Sequence, residues 1–176
     1  MKPMSRKDLL ITLLEEAVNK CYENDKTLID RSMEQASVAR IFYYMQRTID
    51  TDDRFEQFRE YSLDCEYNKN KQHIKETPRC FKGTRPDMIL HKRWQGEDDR
   101  FCQDNMLIVE FKPRKTTMKR YEQTKQYIDF IKLEDFTKSE VYHYFLGVFV
   151  KLNKNGAQYT FFQNGQETAK EALRDE

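Results

Sequence analysis

Glu110 and Lys112 stand two positions apart in the stretch LIVEFKPRK, residues 107–115, where Leu107, Ile108, Val109 and Phe111 have the character of a buried strand. Side chains alternate across a strand, so the carboxylate and the ammonium project from one face, one step apart. Burying such a pair is costly unless each charge has a partner. A second strand-like stretch, RPDMILHKR at 85–93, places Asp87 directly after Pro86 and on the same face as Ile89 and His91. Proline at that early position removes no central ladder hydrogen bond. If the two strands are neighbours in suitable register, Asp87 meets Glu110 and Lys112. Two carboxylates and a lysine at one spot would seat a hard divalent cation such as Mg²⁺, which favours carboxylate oxygens, keeps several waters and completes its shell with phosphates. The plainer alternative is a partly exposed ion pair at a strand end.

The elements that must position these residues can be read from periodicity. Leu9, Leu10, Leu13, Leu14, Ala17, Val18 and Cys21 recur at helical spacing, and Ser5 with Asp8 marks the start of that helix. A second helix is expected from about Ser32, with Gln35 in the capping-box position, to about Ile49. Within it Glu34 shares a face with Ser37, Val38, Ile41 and Met45, so an acid lies on the apolar stripe. EYSLDCEYN (60–68) reads as a strand with Tyr61, Leu63, Cys65 and Tyr67 on one side and Glu66 on the other. Residues 69–85 read as a long basic loop, 85–93 and 106–112 as strands, and 117–133 as a helix with Met118, Tyr121, Ile128 and Ile131 inward. VYHYFLGVFVKL (141–152) is the most apolar strand, AQYTFFQ its hairpin partner across NKNG, and QETAKEALRDE a short terminal helix. The order α-α-β-β-β-α-β-β implies an α/β or α+β fold, a mixed sheet with helices packed on it.

The chain has 176 residues, a length suited to one domain spanning 1–176, with N-terminal helices over 5–49 and a C-terminal tail over 166–176. It is 35% charged and 13% aromatic, which fits a wet surface around a real core. No apolar run reaches the ~18 residues of a membrane span, and the N-terminus lacks a signal-like cleavage site, so a cytoplasmic protein is expected. Cys21, Cys65, Cys80 and Cys102 show no zinc spacing. Formal net charge is +1, weak support by itself for a nucleic-acid binder. Lys69, Lys71, Lys75, Arg79, Lys82 and Arg85 are nevertheless clustered, and KPRKTTMKR (112–120) is a second basic run beginning at Lys112. Two basic runs flanking one acidic pair favour a phosphate-bearing partner.

Pro86-Asp87 followed by Glu110-Phe111-Lys112 resembles the PD-(D/E)XK nuclease superfamily, whose restriction-endonuclease-like core runs α-β-β-β-α-β. The stretches MEQASVARIFYYM, DCEYN, RPDMILHKR and DNMLIVEFK are similar to the pattern of a group of small bacterial members of it. They span residues 33–112, and the order of elements extends the comparison to about residue 150. An insertion rich in acid and cysteine before Asn105 departs from that pattern. The resemblance implies Mg²⁺ or Mn²⁺ held by Asp87, Glu110 and the backbone carbonyl of Phe111, with Glu34 and Glu66 as further candidate ligands. Lys112 would orient the attacking water and offset charge on the phosphate. Lys71, Lys75, Arg114, Lys115 and Lys119 would contact the nucleic-acid backbone, with DNA favoured over RNA.

The function expected on these grounds is hydrolysis of phosphodiester bonds by a divalent-metal nuclease acting in defence or DNA processing. The alternatives are a catalytically silent nuclease-fold module that binds nucleic acid and a protein-interaction subunit with a protein partner. A two-fold homodimer is the default expectation for assembly.

Overall fold

A computed structural model describes residues 4–67, 69–70, 73–80, 83–93, 105–113 and 120–174, with the backbone alone described at 69, 70, 73 and 120–124. Helix α1, Arg6–Asn24, begins where Ser5 Oγ accepts from the Asp8 amide at 3.2 Å and donates to Asp8 Oδ2 at 2.7 Å. All seven of its expected apolar positions are buried, and Ile11 joins them. A five-residue helix that periodicity could not reveal, α2, spans Lys26–Asp30. Helix α3, Glu34–Thr51, starts two residues later than expected. Ser32 has φ of 55°, which takes it out of the capping position, and Met33 leads the helix without a side-chain cap. The stripe of Ser37, Val38, Ile41, Tyr44, Met45, Thr48 and Ile49 is buried. A 3₁₀ turn, Asp53–Phe58, then plants Phe55 and Phe58 in the core.

Six strands form one sheet: β1 Ser62–Cys65, β4 Met88–His91, β5 Asn105–Lys112, β6 Leu146–Asn153, β7 Gly156–Gln163 and β8 Gln166–Thr168, in that spatial order. Only β5 and β6 are parallel, and helix α4, Arg120–Thr137, makes the crossover between them. The remaining neighbours are antiparallel. A separate small ladder, β2 Lys69–Asn70 with β3 His73–Ile74, lies within the stretch read as loop.

Alternation divides the core in two. Leu63, Met88, Leu90, Leu107, Val109, Phe111, Val148 and Val150 face α1 and α3, whereas Ile89, Ile108, Phe149 and Phe162 face Leu133 and Phe136 of α4. Two further expectations are corrected. The C-terminal segment forms β8 and a 3₁₀ turn at Lys170–Ala172 rather than a helix, because Asn164 and Gly165, at φ of 53° and 78°, turn the chain tightly back onto β7. Helix α4 does not turn Ile128 inward: it is 41% exposed, while Asp129, Leu133, Phe136 and Thr137 are buried. The inward phase is taken by Asp129 because Lys112 of β5 pairs with it there. Among the described residues, no helix is long and apolar enough to cross a membrane.

Candidate metal centre at the head of the sheet

Antiparallel pairing sets Met88 against Val109 and Ile89 against Ile108, so the next step places Asp87 beside Glu110. Asp87 is fixed from both sides. Its carbonyl accepts from the amide of Glu66 at 3.2 Å, and its Oδ2 accepts from the amide of Phe111 at 2.7 Å. The N–H and C=O of one extended residue point to the same side of a strand. The carbonyl of Phe111 is therefore directed towards the edge where Asp87 stands.

Glu34, in the first turn of α3, lines a cleft of about 320 Å³ together with Val38, Cys65, Glu66 and Asp87. Glu66 follows directly after β1 at φ of 48°, and its carboxylate lies 3.7 Å from the exposed guanidinium of Arg85. The structure thus brings Glu34, Glu66 and Asp87 to one cleft, with Glu110 behind Asp87. Among the described residues, no three His, Cys, Asp or Glu side chains converge as a ready-made metal cluster.

The electrostatics are strained by like charge. Burial pushes the Asp87 carboxyl up to about 6, and Glu34 reinforces the shift; the Phe111 amide and the two lysines below oppose it. Glu110, 2% exposed, is raised well above the usual carboxylate range by burial and then by Asp87. Its Oε1 lies 3.3 Å from Lys132 Nζ. Lys112 does not aim at open solvent: its Nζ is 2.6 Å from Asp129 Oδ2 on α4. Burial alone would lower the Lys112 pKa, but Asp129, Glu34 and Asp87 together raise it above the ordinary lysine value.

Asp129 and Lys132 are members of this cluster that sequence reading missed. The signal was present in the helical phase: taking Leu133 and Phe136 as inward positions puts Asp129 and Lys132 with them. Ile128 and Ile131 suggested a different phase because isoleucine is a stronger apolar cue than a paired aspartate.

Lys75 is corrected from its expected role as a phosphate contact. It is 4% exposed, donates to Tyr144 Oη at 2.9 Å, and lies 5.3 Å from the ring centroids of Tyr67 and Tyr144 and 5.8 Å from those of Phe136 and Tyr142. A phosphate cannot reach an ammonium enclosed in this way. Lys71, Arg114, Lys115 and Lys119, the other expected backbone contacts, lie outside the described residues.

The donor set fits a hard divalent cation. Glu34, Asp87, Glu110 and Asp129 oppose Lys112 and Lys132, leaving a local surplus of carboxylate that burial makes costly. Two carboxylates and a carbonyl are oxygen donors of the kind that Mg²⁺ or Mn²⁺ takes, and Asp87 among them lines the cleft. The class defined by fold and site is a mixed α/β protein whose six-stranded sheet, flanked by helices, carries an acidic cluster with two lysines at one end. Compared with models of protein families and with curated proteins, the chain finds no match.

Proposed function

We propose that this protein is a divalent-metal-dependent nuclease of the restriction-endonuclease-like kind, hydrolysing phosphodiester bonds of DNA. The observation that carries the reading is the approach of Asp87 to the Glu110-Phe111 peptide, with Asp87 Oδ2 accepting from the Phe111 amide at 2.7 Å. That bond holds the Asp87 carboxylate against the strand that carries Glu110, beside an open cleft. The order α3, β1, β4, β5, α4, β6 supports it as well, since it follows the core order implied by the resemblance of Pro86-Asp87 and Glu110-Phe111-Lys112 to the PD-(D/E)XK superfamily.

Asp87, Glu110 and the Phe111 carbonyl would hold the cation, with Glu34 reaching it from the helix side of the cleft. A divalent cation bound there supplies charge neutralisation at the phosphate and acidifies a coordinated water. Asp87, fixed by two backbone contacts, keeps the ligand geometry from relaxing when a substrate arrives. Lys112 stands close enough to feel both Glu34 and Asp87 and would offset the charge that develops on the phosphate. Its pairing with Asp129 favours a second reading, a nuclease-fold module that binds nucleic acid without cutting, because a lysine held against Asp129 of α4 contributes nothing to a phosphate.

The test is cleavage of linear, circular and single-stranded DNA and of RNA with Mg²⁺ or Mn²⁺. Wild-type protein is expected to cut at least one substrate only when metal is present. Asp87→Ala and Lys112→Ala are each expected to lower the rate by about 100-fold or more. Metal-independent cleavage, or full activity in Asp87→Ala, would rule out this site.

A further inference from the structure

We propose that Lys132 is the resident counter-ion of Glu110, displaced by the divalent cation onto Asp129, and that this displacement releases Lys112 towards the cleft. The proposal rests on Asp87 and Glu110 being the cation ligands. Glu110 is the most deeply buried carboxylate of the cluster, and Lys132 Nζ stands 3.3 Å from its Oε1. The same ammonium is already 3.2 Å from Asp129 Oδ1, while Lys112 Nζ holds Asp129 Oδ2 at 2.6 Å. Glu110, Lys132, Asp129 and Lys112 therefore form a continuous chain of contacts, and Asp87 and Glu34 are left facing the cleft.

A dication placed between Asp87 and Glu110 would stand against Lys132 in a half-buried site, where like charges repel far more strongly than in water. Lys132 need not leave the protein to escape. Asp129, one helical turn away on α4, is within hydrogen-bond reach already. As Lys132 transfers its bond to Asp129, the hold of Asp129 on Lys112 weakens, and Lys112 turns to the remaining negative charge of the cleft. Asp129 is thus a positioning residue serving two lysines in turn, and α4 couples cation occupancy to the availability of Lys112.

Calorimetric titration of Mn²⁺ into wild type, Lys132→Met, Lys132→Arg and Asp87→Asn tests this without reference to cleavage. Lys132→Met is expected to bind Mn²⁺ about tenfold more tightly than wild type, because the competing charge is gone. Lys132→Arg, which keeps that charge, is expected to stay within about twofold of wild type. If Lys132→Met does not fold, Lys132→Gln carries the same expectation. Acylation of Lys112 by an amine reagent, followed by mass spectrometry, is expected to quicken with Mn²⁺ in wild type and not in Lys132→Met. Equal or weaker binding in Lys132→Met, with binding lost in Asp87→Asn, overturns the counter-ion role and leaves the metal site standing. A Lys112 rate in wild type that ignores Mn²⁺ overturns the hand-over. Wild-type binding that survives in Asp87→Asn, or no binding by wild type, removes the metal site and this proposal with it.

Discussion

An ammonium ringed by aromatic faces gains cation–π attraction and loses hydration, and Lys75 records the balance. Burial lowers its pKa to about 8, and the charge of Asp64 only partly opposes the shift. Between about 8 and its ordinary value of 10.5 the folded protein binds fewer protons at this site than the unfolded chain. Stability contributed here therefore rises with pH across that window, and the charged form costs stability at neutral pH. Lys75→Met keeps the length of the side chain and removes the titration. Urea denaturation is expected to show wild type gaining about 2–3 kcal/mol relative to this variant between pH 7.5 and pH 10. Parallel curves for the two proteins would mean that Lys75 titrates in the folded protein as it does in the unfolded chain.

At the scale of elements, the cluster depends on how closely α4 lies on the sheet. Gly147 of β6 permits that approach: a Cβ there would stand 3.0 Å from Thr137 Cγ2 of α4 and 3.2 Å from Phe162 Cβ. Thr137 Oγ1 is already committed, donating to the Leu133 carbonyl at 2.9 Å and accepting from the Gly165 amide at 3.1 Å. The helix cannot yield by rotating that side chain alone. Gly147→Ala is expected to destabilise the fold by about 1–3 kcal/mol, read from thermal and urea unfolding. It is also expected to tighten Mn²⁺ binding, because Lys132 moves away from Glu110 with the helix. An unchanged melting temperature would show that α4 rides loosely on β6. Elsewhere the sheet edge is braced by charge: Asp64 of β1 meets His91 Nε2 of β4 at 2.9 Å and also pairs with Arg93. These contacts hold its carboxyl well below the usual range despite burial.

Across the whole molecule, the two apolar layers stabilise a fold that the acidic cluster strains. Asp87, raised to about 6 by burial and Glu34, is a charge that the cation-free protein holds at a cost near pH 7. Folded Asp87 keeps its proton to higher pH than the unfolded chain does, so its contribution to stability falls as pH rises from about 4 to about 6. Asp87→Asn retains an oxygen to accept from the Phe111 amide and removes the charge. This variant is expected to be more stable than wild type without metal, by about 1–3 kcal/mol at pH 7. Saturating Mn²⁺ at about 100 times its dissociation constant is expected to raise the melting temperature of wild type by about 5–10 °C. Asp87→Asn is expected to show no such rise. Scanning calorimetry of both proteins, with and without Mn²⁺, checks the pair of outcomes; a less stable Asp87→Asn would mean that the carboxylate supports the fold.

The sequence by itself determined the pieces whose signal is local. Seven apolar positions at helical spacing and a Ser5–Asp8 cap specify α1, and alternation within 106–112 places Glu110 and Lys112 on the face opposite Val109 and Phe111. Pro86 and Asp87 followed by a short apolar run were enough to put Asp87 at the head of β4. Only the tertiary structure decided where each charge finds its partner. Lys75 lies in a basic run with the composition of an exposed segment, yet four rings from positions 67, 136, 142 and 144 close over it. Asp129 and Lys132 look like the polar face of a helix until β5 supplies Lys112 and Glu110 beneath them. Apolar periodicity is written along the chain because burial is a property of one side chain at a time. An ion pair is a property of two, and contacts 17 and 22 residues apart are fixed only when the parallel crossover lays α4 across the strand.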